Sequence, residues 1–118
     1  MLSEREKIGE KSQDVRIAKP ITKPWSVFNS NKVSGVPSVF VVYELGDRAK
    51  NVIYIGSGNL RERLAAHLRS TDSCIRRSRY FRYEQTSGEE RSRQRESALL
   101  GDYKRRHGRL PDCNERLD

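Results

Sequence analysis

Residues 51–68 read NVIYIGSGNLRERLAAHL, and the reading of this stretch decides the fold. Asn51 to Ile55 is dominated by β-branched and aromatic residues and fits a strand. Gly56-Ser57-Gly58 closes it as a tight turn, since small residues leave the backbone free to change direction. Asn59 then offers a side-chain oxygen to cap a helix, and Leu60, Leu64 and Leu68 fall at i, i+4 and i+8 along one stripe of it. Arg63 and His67 lie together along one edge of that stripe, where a helix borders a cleft.

Working outward, Ser38 to Leu45 (SVFVVYEL) is a second strand-forming run, and Gly46-Asp47 is a turn signal. The two runs predict an antiparallel hairpin. Downstream, a polar arginine-rich connection (Ser70 to Arg79) leads to a third strand over Tyr80–Thr86. Ser87-Gly88-Glu89-Glu90 opens a second helix with acidic residues at its positive end. Gly108 ends that helix after His107, and Pro111 forbids its resumption. The expected class is α/β of the α+β kind: a small central three-stranded antiparallel sheet flanked by helices, in the order β-β-α-β-α. Residues 1–23 read as a flexible basic arm. The domain is expected over 24–118, with Trp25 as a core plug in the first apolar cluster.

A chain of 118 residues holds one compact core. Its net charge is +8, with +7 of it carried by residues 61–109, almost all as arginine. Arginine forks grip phosphates, so a polyanionic partner is expected, with nucleic acid ahead of an anionic membrane because no amphipathic anchor accompanies the charge. No stretch approaches the roughly 20 apolar residues of a membrane span, and the N-terminus lacks a signal-peptide centre, so a cytoplasmic location is expected. Cys74 and Cys113 have no C-x-x-C spacing and read as ordinary buried or half-buried thiols.

On the second helix Leu99, Leu100 and Tyr103 define an apolar face, and Glu96 falls in its centre. An unpaired carboxylate there is costly, so Glu96 must be protonated, paired with an arginine, or bound to a cation. The functional alternative is a ligand for Mg²⁺, which is commonly held by one or two carboxylates with waters and a substrate phosphate. Arg63 and His67, one turn apart, suit a scissile phosphate and a water.

Taken in order, Ser38-Val39-Phe40, Tyr54-Ile55-Gly56, Asn59-Leu60-Arg61-Glu62-Arg63-Leu64 with His67, Glu96 with Leu99-Leu100 and Tyr103, and Leu110-Pro111-Asp112-Cys113-Asn114 resemble the motifs of the GIY-YIG nuclease family. The resemblance covers roughly residues 36–114 and is nearest the stand-alone or excinuclease-C-like type. It implies a Mg²⁺- or Mn²⁺-dependent endonuclease acting on nucleic acid, DNA above all, in processes such as repair. Tyr54, Arg63, His67, Glu96 and Asn114 would be catalytic, with Glu96 the metal ligand. Phe40, Tyr43, Gly56, Ser57, Arg61, Arg76 and Arg77 would contact substrate or shape the cleft. A partner protein or a second copy would supply specificity. In two places the chain departs from the family. Phe40 stands where the first motif normally ends in tyrosine, which leaves either Tyr54 to suffice or Tyr43, three residues on and on the opposite strand face, as a poor substitute. Tyr54 to Arg63 is also one residue short, which makes Arg61 the fallback phosphate ligand. A catalytically weak or silent nucleic-acid-binding module on the same fold is the alternative.

Overall fold

A computed structural model of the chain describes residues 18–114. Its elements are β1 (Ser26–Val27), α1 (Ser30–Ser34), β2 (Phe40–Gly46), β3 (Val52–Asn59), α2 (Leu60–Leu68), a 3₁₀ turn (Ile75–Arg77), β4 (Tyr80–Gln85) and α3 (Glu89–His107). The four strands form one antiparallel sheet in the order β1-β4-β2-β3. The α+β class is as expected, and from Phe40 onward the elements follow the expected β-β-α-β-α succession, with β1 and the short α1 added ahead of it. The sheet gains a fourth strand, because the two-residue β1 pairs with the outer edge of β4, a segment too short to carry a period of its own.

The sheet has two covered faces. On one, Leu60 and Leu64 of α2 pack with Val41, Tyr43, Leu45, Tyr54 and Phe81. On the other, Leu99 of α3 packs with Val42, Ile55 and Ile21. Ile21 lies within the expected arm yet is buried, and the Lys19 carbonyl accepts a bond from Arg95, so part of that segment belongs to the packed domain. Residues 1–17 of the expected arm lie outside the described residues. Trp25 is half-buried at the rim, beneath the Arg82 guanidinium and against Gly46, rather than a plug of either cluster.

The start of α2 and the end of α3 follow their local chemistry. The Asn59 side chain accepts from the Glu62 N–H at 3.1 Å, as the capping rule requires. Helix α3 ends at Gly108, whose φ of 82° lies in the left-handed region that favours glycine. Two expectations need correction. Leu68 is 37% exposed, so the apolar stripe of α2 ends at Leu64. Gly56-Ser57-Gly58 is not a turn: β3 runs straight through it, with Gly56 opposite Tyr43, Ser57 opposite Val42 and Gly58 opposite Val41. The glycine at 56 is needed for space, because an added Cβ would lie 2.6 Å from the Tyr43 hydroxyl and 2.8 Å from the Tyr54 ring.

The cysteine expectation is also overturned. Cys74 and Cys113 are buried but joined in a disulfide, their Cα atoms 5.6 Å apart across 39 residues of sequence. Spacing carries no signal for such a pair, which only the return of the tail to the sheet brings together.

Substituting Gly56→Ala is expected to destabilise the fold by about 1–3 kcal/mol through overpacking against the two tyrosines. Equilibrium urea unfolding of the variant beside the wild type measures this.

Candidate functional site

The hairpin register gathers the site. Tyr43 pairs with Gly56 and Leu45 with Tyr54, so Tyr43 and Tyr54 are diagonal neighbours on the face that α2 covers. Their ring centroids are 6.1 Å apart. His67 from α2 completes the group, 5.7 Å from the Tyr43 ring and 5.0 Å from the Tyr54 ring. The Tyr43 hydroxyl and His67 Nε2 share a 2.7 Å hydrogen bond.

Arg63, one turn before His67, lies with its stem along Gly58 and its guanidinium beside both tyrosine hydroxyls. The residue remains exposed, so its charge is open to an approaching anion. Tyr43 above all, and Tyr54 with it, hold the guanidinium firmly protonated against the opposing effect of burial. Burial pushes the Tyr43 phenol well above its ordinary value, Tyr54 pushes it the same way, Arg63 partly offsets this, and Glu96 raises it again. Burial, helped by Arg63, pulls the His67 imidazole down to about 4. At neutral pH the cluster therefore holds a neutral histidine, a neutral phenol and a guanidinium.

Glu96 stands on the other side of the sheet, near enough for its charge to act on Tyr43. The buried stripe of α3 runs through Ser92, Arg95 and Leu99, so Glu96 lies on its border and not at its centre. Ser57 Oγ donates to Glu96 Oε1 at 2.5 Å. Among the described residues Glu96 makes no ion pair; the arginine pairing weighed for it is instead made next door, where Arg95 grips Glu84 through two bonds of 3.0 and 2.7 Å. Among the described residues no cluster of three or more histidines, cysteines or acids is placed to enclose a metal. A half-buried carboxylate with one anchored oxygen fits only a hard cation that keeps most of its waters, which is how Mg²⁺ is commonly held.

Of the remaining expected residues, some join the site and others do not. Asn114 pairs its amide with the backbone of Ile55, accepting from N–H at 2.9 Å and donating to C=O at 3.0 Å, so it braces β3. Phe40 is 39% exposed and stands opposite Asn59, on the other strand face from Tyr43. Tyr43, not Phe40, supplies the hairpin's first hydroxyl. The signal was available: in an antiparallel hairpin each residue's partner is fixed by the turn, and only Tyr43 comes beside Tyr54. Arg61 spends its fork on the Val36 carbonyl at 3.1 and 2.8 Å. Arg77 is engaged with Asp112 at 3.3 Å and Asp47 at 3.7 Å, whereas Arg76 is exposed.

With this geometry in place, comparison with known proteins adds the family. A family described as a domain of unknown function (DUF7508) matches residues 19–106, and the chain belongs to it. No curated protein matches the chain. Among the described residues no helix is long and apolar enough to cross a membrane.

Because the folded-state value of His67 lies below the ordinary 6.5, protonation favours the unfolded chain. Its contribution to stability is whole above pH 6.5 and is lost as the pH falls toward about 4. An NMR titration is expected to find the His67 ring still neutral at about pH 5.5, in contrast to a free imidazole.

Proposed function

We propose that the chain is a Mg²⁺-dependent phosphodiesterase of the GIY-YIG type that cuts nucleic acid, DNA in the first instance. The observation that carries this reading is the grouping of Tyr43 and Tyr54 of the hairpin with Arg63 and His67 of α2, with Glu96 of α3 anchored to Ser57 of the same hairpin and near enough for its charge to act on Tyr43. A structural role alone asks for no exposed guanidinium over a pair of tyrosine hydroxyls. Nor does it ask for a carboxylate held by a serine when arginines abound.

In the proposed reaction a water oxygen bonds to phosphorus as the bond to the leaving oxygen breaks. Arg63 binds the phosphate and the charge that builds on it. The neutral His67, whose ring the buried Tyr43 hydroxyl orients through Nε2, takes the water's proton. Tyr54 orients the water beside them. Glu96, oriented by Ser57, would hold a Mg²⁺, which would supply charge neutralisation for the phosphate and the leaving oxygen. Asn114 braces the strand that carries Tyr54. The arginine-rich exposed surface supplies salt-sensitive contacts to the phosphate backbone.

A silent binding module rested on the loss of a hydroxyl at Phe40. Tyr43 restores that hydroxyl on the face where Arg63 and His67 stand, and this favours the enzyme.

Supercoiled DNA incubated with the full chain is expected to be nicked with Mg²⁺ and left intact with EDTA. Arg63→Ala and Glu96→Gln should each slow nicking on the order of 100-fold, and Tyr43→Phe should also slow it, whereas Phe40→Tyr should not speed it. Binding without cleavage in every condition would return the silent module.

A further inference from the structure

β3 is an edge strand: β2 pairs with one side of it, and the backbone groups of Ile53 and Ile55 point away from the sheet on the other. Residues 113 and 114 cover that open side. The Cys113 N–H donates to the Ile53 carbonyl at 2.8 Å, and the Asn114 amide takes both backbone groups of Ile55. These bonds bracket Tyr54 on both flanks. The tail is fastened through Cys113 to Cys74, which stands just before the 3₁₀ turn that follows α2. The Cys74 end is itself fixed, since Asp72 Oδ1 accepts from the Cys74 N–H at 2.7 Å. The disulfide thus links the exit of the helix bearing Arg63 and His67 to the outer edge of the strand bearing Tyr54.

We propose that Cys74 and Cys113 form a redox-sensitive clamp that positions the Tyr54 segment, closed when oxidised and loosened by a dithiol reductant. Its catalytic consequence rests on the nuclease reading above; its structural consequence does not. Held by the disulfide, the tail faces the β3 edge at a high effective concentration. Cut loose, it must keep its place with buried Pro111, the exposed Arg77–Asp112 ion pair and three hydrogen bonds to β3, of which the polar contacts are each worth little net once water competes. Reduction proceeds as one reductant thiolate attacks a cysteine sulfur and releases the other. The reductant's second thiol then closes its own disulfide, delivering two electrons and two protons to the cysteine pair. Disulfides are uncommon in reducing compartments, and those found there are commonly transient or redox-sensing.

The test uses the full chain, oxidised or treated with dithiothreitol until two thiols titrate, beside Cys113→Ser and Cys74→Ser. Exchange of the Ile55 amide hydrogen, followed by NMR, is expected to quicken at least about tenfold on reduction, with the α3 amides near Leu99 keeping their protection. Both serine variants should exchange fast at Ile55 and ignore dithiothreitol. In the nicking assay, reduction should lower kcat about tenfold with KM little changed, as expected of a positioning element. Equal Ile55 exchange in oxidised and reduced chains would overturn the clamp. So would unfolding of every reduced form, because the disulfide would then be a staple of the whole domain. Loss of Ile55 protection with unchanged nicking would remove the positioning role. If no form nicks DNA, the nuclease reading fails while the exchange data still decide the clamp.

Discussion

The Tyr43 hydroxyl is the group around which the domain is organised. Tyr43 is fully buried at the centre of the sheet, and a hydroxyl taken out of water must find a partner or cost roughly 1–3 kcal/mol. The partner is His67, which can be reached only if α2 lies across the hairpin with its last turns over Tyr43. That placement sets Leu60 and Leu64 into the core and brings Arg63 to the open side of the tyrosines. It also requires an empty position at 56, where any side chain would collide with both rings. The histidine's neutrality follows from the same burial. One satisfied hydroxyl thereby couples core packing, helix orientation and the protonation state of the site.

Much of this was legible in the sequence, and what was not has physical reasons. Asn59 as a cap, Gly108 as a stop and the strand content of residues 80–85 are local preferences, and local geometry honours them. Arg63, His67 and Glu96 could be singled out because helix periodicity places polar groups on or beside an apolar stripe. Three features depend on strand register or on the return of the tail, which local composition does not report. The strand through Gly56-Ser57-Gly58 looks like a turn by composition, but β2 supplies pairing for all three residues. The Phe40 position looked like the hydroxyl site by order of motifs, whereas register puts Tyr43 there. The disulfide joins residues whose separation carries no pattern.

Glu96 shows how a neighbouring pair frees a charge for other use. Arg95 and Glu84 satisfy each other across α3 and β4, and Arg82 and Glu44 do so on the same face of the sheet at 2.7 Å. These pairs use the adjacent opposite charges, so Glu96 is left with a serine hydroxyl, a partner that orients a carboxylate without neutralising it. A negative charge that is oriented but uncompensated is what a divalent cation requires, and a guanidinium beside phenols is what a phosphate requires. Glu96 lies close enough to the tyrosine cluster for its charge to act on Tyr43.

The site is built on an edge strand. Arg63 and Glu96 come from helices on opposite faces, and both stand against β3, Arg63 along Gly58 and Glu96 on Ser57. An uncovered rim is a hazard, since free N–H and C=O groups invite another strand. A full fifth strand would remove the hazard but would also lengthen the sheet. The tail solves this with two residues: one backbone N–H at Ile53 and one side-chain amide at Ile55 satisfy the edge without lengthening it. An asparagine is suited to this because its amide carries one donor and one acceptor at the separation a strand residue presents, so it completes the ladder and then stops it.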